Sequence, residues 1–457
     1  VDPAVRLGIV MEPGTGEQYD SPWNRTVLEQ AGKEADFVVL HFYAPRIADQ
    51  TPQQALAAVL AYGDQVEFRL KQYREQARAL TGRELPLAMT EFNIGSTGNK
   101  PYPWRFSFLA GLMNADLQRI WLKPENGILC ANYWQVVNGY WGSFRSNEKG
   151  EITLRRAPVS FFETWGGYTG SELVQTAVAD APRLDAAPVP GLAVSRGGRL
   201  LLPEPAGEAK PGAISGKHFP AGIALAAAGK DSLTIRFDGF DGKSAYPEFA
   251  ELPRPAQIPA GDAFRYLISF EANYTPDRPG ERPSGAFGLG MVDSRGWEKT
   301  ASAVSISGIQ AATQWKRFTG SYQVLPDTPG SKVLFRVEGV SAPLSGTVEI
   351  RNLRFALETQ PVFPAYRTLT ALASRSADGG TLYLTVFNKD PQKPVRAEVK
   401  LENFDAAAGS GVVLAAAAPE TAADTIPRPV AVKPASGSFV HEFPAASMTA
   451  LKFRRNR

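Results

Sequence analysis

Four near-continuous apolar runs near the start of the chain constrain its fold more than any other feature: Arg6–Met11, Phe37–Tyr43, Leu85–Phe92 and Ile128–Gln135. Consecutive apolar positions rich in β-branched and aromatic residues suit strands buried on both faces, as in parallel sheets. The segments between them carry helical signals. Thr51-Pro52 pairs an N-cap residue with a proline at the first helical position. Val66, Leu70, Tyr73, Ala77 and Leu80 then recur at steps of four and three, which marks one buried helix face. Phe108, Leu112, Ala115, Ile120 and Trp121 repeat the pattern. Strand and helix alternate at the spacing of βα units, in either a (β/α)8 barrel or a doubly wound sheet.

Beyond about residue 170 the helical period disappears. Short strands with turn signals about every ten residues take over, which is the pattern of β-sandwiches and jelly rolls. The expected organisation is multidomain: a β/α segment over residues 1–170, a jelly roll over 205–360, and a β-sandwich built from 171–204 together with 361–457. Within the last block, Thr381–Asn388 predicts a strong strand, and the Ala-rich stretch Asp405–Asp424 predicts a long loop. The glycines of Gly285–Gly290 read as turn residues, since no helix pattern follows them.

Composition narrows the function. Lys and Arg total 49 against 46 Asp and Glu, with no basic block inside the chain, so nothing calls for a nucleic acid partner. No apolar run approaches the roughly 18 residues of a membrane span. The single cysteine, Cys130, rules out an intrachain disulfide and a Cys-based zinc site, and its apolar surroundings predict a buried thiol. The three histidines, His41, His218 and His441, lack metal-ligand spacing, so neither a metal nor an organic cofactor is expected. The chain opens on Val-Asp-Pro, which reads as a processing boundary and favours an extracellular or periplasmic protein.

The chemistry concentrates at the ends of the apolar runs. Met89-Thr90-Glu91-Phe92-Asn93 closes one run with a carboxylate. In a (β/α)8 barrel the carboxyl ends of the strands build the active site. Glycoside hydrolysis needs two carboxylates, one to attack or to activate water and one to protonate the leaving oxygen. Glu91 is one such group, or else a strand-end residue that caps the next helix or pairs with an arginine. His41 and Tyr43 end the preceding run. Trp134 and Gln135 end the following one, with Asn138, Tyr140 and Trp141 just beyond. Flat rings for sugar C–H faces and fork-like amides for hydroxyls are what a sugar site requires. Asn93 is included for its amide. Phe42 and Tyr133 are expected to pack in the core.

Together, Val1-Asp2-Pro3 through Met11, LHFY, MTEFN and ANYWQ resemble strands five to eight of retaining glycoside hydrolases of the large (β/α)8 clan, most of all the family 51 α-L-arabinofuranosidases. Ala373–Ser376 with Thr381–Asn388, and Ala446–Leu451, are similar to that family's C-terminal sandwich. The resemblance implies Glu91 as nucleophile, His41 and Tyr43 as the sixth-strand pair, and Trp134 and Gln135 as a subsite. Residues 205–360 look like an inserted carbohydrate-binding module of jelly-roll type, with Trp297 and Tyr274 as candidate glycan platforms. The implied substrate is a plant or bacterial polysaccharide.

One departure stands out. Strands one to four, and the family's acid/base glutamate after asparagine on the fourth, have no counterpart here. Asn147-Glu148 has the dipeptide but follows the last βα strand, and Glu12 is the remaining acid candidate. The missing half is expected from a second polypeptide or a preceding segment, and these residues alone are not expected to turn over substrate. The rival readings are an endo-acting glycanase of the same chemistry and a non-catalytic glycan-binding protein.

Overall fold

The computed structural model describes residues 4–456 except 12–21, 44, 48–49, 97–101, 138–139, 187–188, 190–191, 193, 197–203, 213, 260, 281–284, 298–299, 301–303, 308, 310–314, 360–361 and 436. Val1–Pro3, Glu12 and Asn138 lie outside the described residues. The chain divides into two compact units, 1–199 with 363–457, and 200–362.

The first unit begins β1 (Gly8–Val10), α1 (Pro22–Ala31), β2 (Phe37–Phe42), α2 (Pro52–Thr81), β3 (Leu87–Phe92), α3 (Phe108–Trp121), β4 (Ile128–Tyr133) and α4 (Pro158–Gly167). The four strands pair in parallel in chain order. The order never reverses, so this sheet lacks the switch point of a doubly wound fold. The signals at Thr51 act as expected: its hydroxyl accepts from the Gln54 N–H at 3.3 Å, and the Gln54 side chain accepts from the Thr51 N–H at 3.0 Å. Gly82, at φ 72°, closes the helix in the left-handed conformation that favours glycine. Val66, Leu70, Tyr73 and Ala77 of α2 are fully buried.

Alternation along the strands aims Val38, Leu40, Phe42, Leu87 and Met89 into a common core with the helices, where Trp121 packs on both Phe42 and Phe92. The edge strands differ. Val10 on β1 is 53% exposed and Leu129 on β4 is 50% exposed. Cys130 is also exposed, not buried as its apolar neighbours suggested. Among the described residues, strand β4 has a sheet partner on one side only, so its apolar run does not imply cover on every flank.

The remainder of this unit is an antiparallel sandwich. One sheet runs in the order Arg428–Val432, Gly409–Ala415, Ser447–Arg454, Thr381–Asn388, Leu369–Arg375, Glu172–Val174. Phe439 and Phe443, on the strand Ser438–Phe443 that pairs with Val395–Lys400, share a core with Leu382, Leu384 and Phe453. Gly409–Ala415 overturns the expected loop at Asp405–Asp424. Its GVVLA run gains ladder partners on both sides, from residues distant in sequence, and pairing outweighs local composition.

The βα segment and this sandwich, separate in the sequence reading, belong to one compact unit because they share a core. Leu414, Phe387 and Met448 bury against the helical layer, and Trp165 of α4 meets Phe387 at 6.2 Å. Lys389, only 2% exposed, pairs with Asp64 of α2 at 2.6 Å and lies 3.8 Å from Asp116 of α3, which also holds Arg119 at 2.7 Å. The segment 419–424 caps two helices. The Phe108 and Leu109 N–H groups donate to the Thr421 and Pro419 carbonyls, the Ala157 N–H donates to Ala422, and the Ser160 hydroxyl donates to Asp424 at 2.7 Å.

The second unit is a two-sheet antiparallel sandwich. One sheet is centred on Leu344–Thr359 and Phe264–Pro276, the other on Gly330–Glu338 and Ala286–Asp293. Phe237, Phe287 and Phe335 pack between them. Gly288 and Gly290 lie within a strand, not in turns. They alternate with Phe287, Leu289 and Met291, which fill the core.

Candidate active site at the strand ends

Glu91 owes its position to a slip in strand register. Leu40 of β2 faces Met89 of β3, yet the next residue, His41, faces Glu91, so Thr90 is the extra residue of a bulge. The bulge brings imidazole and carboxylate level with each other. His41 Nδ1 stands 3.6 Å from Glu91 Oε2, and His41 Nε2 shares a hydrogen bond of 2.9 Å with the Thr90 hydroxyl. Tyr43, one residue past the end of β2, donates its phenol proton to the same Glu91 oxygen at 2.7 Å. Burial, then the hydrogen bond and charge of Glu91, hold the Tyr43 phenol far above its usual pKa, so it remains a donor. The Glu91 side chain keeps 28% of its surface open.

Aromatic rings support this pair. Trp141 packs against Tyr43 at 5.4 Å and against Tyr140 at 4.4 Å. The buried Arg105 guanidinium sits 3.2 Å over the Tyr140 ring. Trp134 follows β4 directly. Its N–H donates to the Phe92 carbonyl, its side chain is 38% exposed, and its peptide bond to Gln135 is cis. Gln135 holds the Ser143 N–H with its carbonyl, while its side-chain oxygen is buried without a hydrogen-bond partner among the described residues.

Asn93, expected to offer its amide to substrate, has that amide engaged within the protein. It is fully buried, its amide nitrogen donates to the Trp134 carbonyl at 2.5 Å, and its oxygen accepts from Asn114 at 3.0 Å and from the Ile94 N–H at 2.7 Å. Its polar atoms tie the ends of β3 and β4 together, which is a positioning place. Phe42 and Tyr133 pack internally, Tyr133 against Phe92 and Phe162.

Glu91, His41, Tyr43 and Trp141 thus form one contiguous cluster, with Trp134 and Gln135 on the adjoining strand end. A carboxylate held by a phenol donor and left partly open is oriented for contact with a bound molecule. Among the described residues no group of three or more His, Cys, Asp or Glu side chains could hold a metal ion. Glu148 sits at an exposed hairpin tip, where the Asn147 side chain accepts from the Lys149 and Glu151 N–H groups, so this dipeptide builds a turn.

No protein-family profile matches the chain, and no curated protein matches it in sequence. Its structure is similar to family 51 enzymes. Over 99% of its length it aligns with the α-L-arabinofuranosidase of Thermotoga maritima at 13% identity and a TM-score of 0.47, and with the GH51 enzyme of Thermotoga petrophila RKU-1 at 12% and 0.49. It aligns over 98% with the family 51 enzyme of Bifidobacterium longum at 11% and 0.47. The chain spans 58–59% of the length of these structures. At these scores the site's own geometry has to carry the function.

Thr90 and Arg105 did not stand out in the sequence. Thr90 carried one signal, a polar residue beside Glu91 at the end of an apolar run. Arg105 is set between Trp104 and Phe106, and its stacking partner, Tyr140, is remote in sequence.

Proposed function

We propose that this chain carries the nucleophile of a retaining glycoside hydrolase, arabinofuranosidase-like in its chemistry, that acts on plant or bacterial polysaccharide. The observation that carries this reading is the hydrogen bond from Tyr43 to Glu91 at the carboxyl ends of adjacent parallel strands. It fixes the orientation of a carboxylate where a barrel enzyme holds its substrate. In the first step Glu91 attacks the anomeric carbon, the glycosidic C–O bond breaks, and the leaving oxygen takes a proton from a second carboxylic acid. In the second step water, deprotonated by that same group, displaces Glu91 and regenerates its carboxylate.

The second carboxylate and strands one to four are proposed to come from polypeptide outside this sequence. The exposed apolar residues Val10 and Leu129 on the two sheet edges support this, since parallel sheets are normally covered.

A glycosyl fluoride tests the nucleophile separately from the acid, because fluoride departs without protonation. Protein isolated from its source, together with any polypeptide that co-purifies, is treated with 2-deoxy-2-fluoro-glycosyl fluorides of arabinofuranose, xylose and glucose configuration. The expected result is one glycosyl adduct on the peptide containing Glu91, absent in Glu91→Gln, and hydrolysis lowered about 10³-fold or more in that variant. An unmodified Glu91 in material that cleaves polysaccharide would remove it as nucleophile.

A further inference from the structure

The second unit holds an exposed aromatic pair that the chemistry above does not use. Among its described residues, Tyr246 at 39% and Trp297 at 49% are the aromatic side chains that stand more than a third exposed. They touch each other, with ring centroids 5.7 Å apart and planes at 72°. Tyr274, the other aromatic expected here, is 3% exposed and donates its hydroxyl to the Ser345 carbonyl, so it is a core residue.

Trp297 is held out on a firmly anchored turn. The buried Asp293 receives Arg295 through both carboxylate oxygens and the Thr328 hydroxyl at 2.9 Å. The Thr300 hydroxyl accepts from the Asp293 N–H and donates to the Gly296 carbonyl. Gly296 turns the chain at φ 128°. The indole next to this turn stands half in water, open to contact.

Polar groups flank the rings. The Tyr246 hydroxyl donates to Glu338 at 2.9 Å, Arg336 also pairs with Glu338, and the Arg336 guanidinium lies 5.7 Å from the Tyr246 ring. Further along the same face, Lys332 pairs with Glu248 at 3.0 Å. These two line a cleft of about 220 Å³ together with Lys217 and Glu251, two charges of each sign. The face therefore offers donors and acceptors with no net charge to select an ion.

We propose that Tyr246 and Trp297, with Arg336 and Glu338 beside them, form a binding site for a neutral polysaccharide. Ring faces take the apolar C–H surfaces of successive sugars, and the arginine–glutamate pair takes their hydroxyls. This site is independent of Glu91.

The test is electrophoresis of the full chain through gels containing arabinan, arabinoxylan, xyloglucan or mixed-linkage β-glucan. Retardation in at least one gel is expected, weakened 10-fold or more by Trp297→Ala and by Tyr246→Ala, and unchanged in Glu91→Gln. Glu338→Gln, which leaves both rings in place, is expected to weaken it by less. An unchanged melting temperature in Trp297→Ala separates lost binding from lost folding. No retardation in any gel, or retardation that survives in the Trp297→Ala/Tyr246→Ala double variant, overturns the site. Hydrolysis and retardation are separate readouts, so failure of one leaves the other reading intact.

Discussion

The parallel sheet of the first unit and the sandwich of the second finish their surfaces in opposite ways. In the sandwich, the two inner faces fill one core and, among the described residues, the exposed Tyr and Trp side chains collect in one place, Tyr246 with Trp297. In the parallel sheet the helix-facing side is fully packed, while the edge strands leave Val10, Leu129 and Cys130 open. Exposure confined to one polar-flanked pair has the form of a binding place. Exposure spread along two strand edges offers apolar surface without a polar frame. The same quantity, apolar surface in water, carries different meanings according to its layout.

Three measurements sharpen or break that contrast. The largest effect is expected at Cys130. Its thiol should react freely with an aromatic disulfide reagent in the chain alone and about 1,000-fold more slowly in a complex with the polypeptide proposed above to cover this edge, as expected for a residue moved from an edge to a paired interior. Equal rates would mean that the edge is the finished state. The next concerns the first unit's own core. Burial alone raises the Asp64 carboxyl, but Lys389 and Arg119 outweigh it and hold the group below its usual pKa. A depressed folded value means that its stabilisation is complete above about pH 4 and is lost as pH falls through that folded value. Asp64→Asn should cost about 3 kcal/mol at neutral pH, because Lys389 is left buried. It should also lose less stability than the parent as pH falls below 4. A variant as acid-sensitive as the parent would remove Asp64 from the junction between helices and sandwich. The smallest effect is at Tyr43. Tyr43→Phe should slow formation of the Glu91 adduct about 10-fold, the worth of one hydrogen bond to a charged group, with melting unchanged. An unchanged rate would make the phenol a packing group.

Much of the first unit was legible because its strands form apolar runs separated by helix-period segments, and alternate residues of the central strands pack on those helices. Glu91 was visible as a carboxylate closing such a run. What remained hidden depended on pairing. Gly409–Ala415 becomes a strand through partners remote in sequence, and Cys130 is exposed because β4 lies on an edge, which no local pattern encodes. Tyr274 and Tyr246 of the second unit divide similarly. Tyr274 falls in phase with Phe264, Tyr266, Ile268, Phe270 and Ala272, all buried, so its period already assigned it to the core. Tyr246, between Ala245 and Pro247, follows no period, and only the register beside Gly330–Glu338 places it near Arg336 and Glu338.

The carbonyls of Pro419, Thr421 and Ala422, which accept from the starts of α3 and α4, also set an order of events during synthesis. A ribosome releases those helices hundreds of residues before it makes the acceptors that complete their first turns. Until they emerge, α3 has its Ser107 cap, but the N–H groups of Phe108, Leu109 and Ala157 have only water to bond. The nascent βα segment is therefore a waiting intermediate, and a truncation before residue 419 withdraws support from the layer on which Glu91 rests, far from the site of the cut.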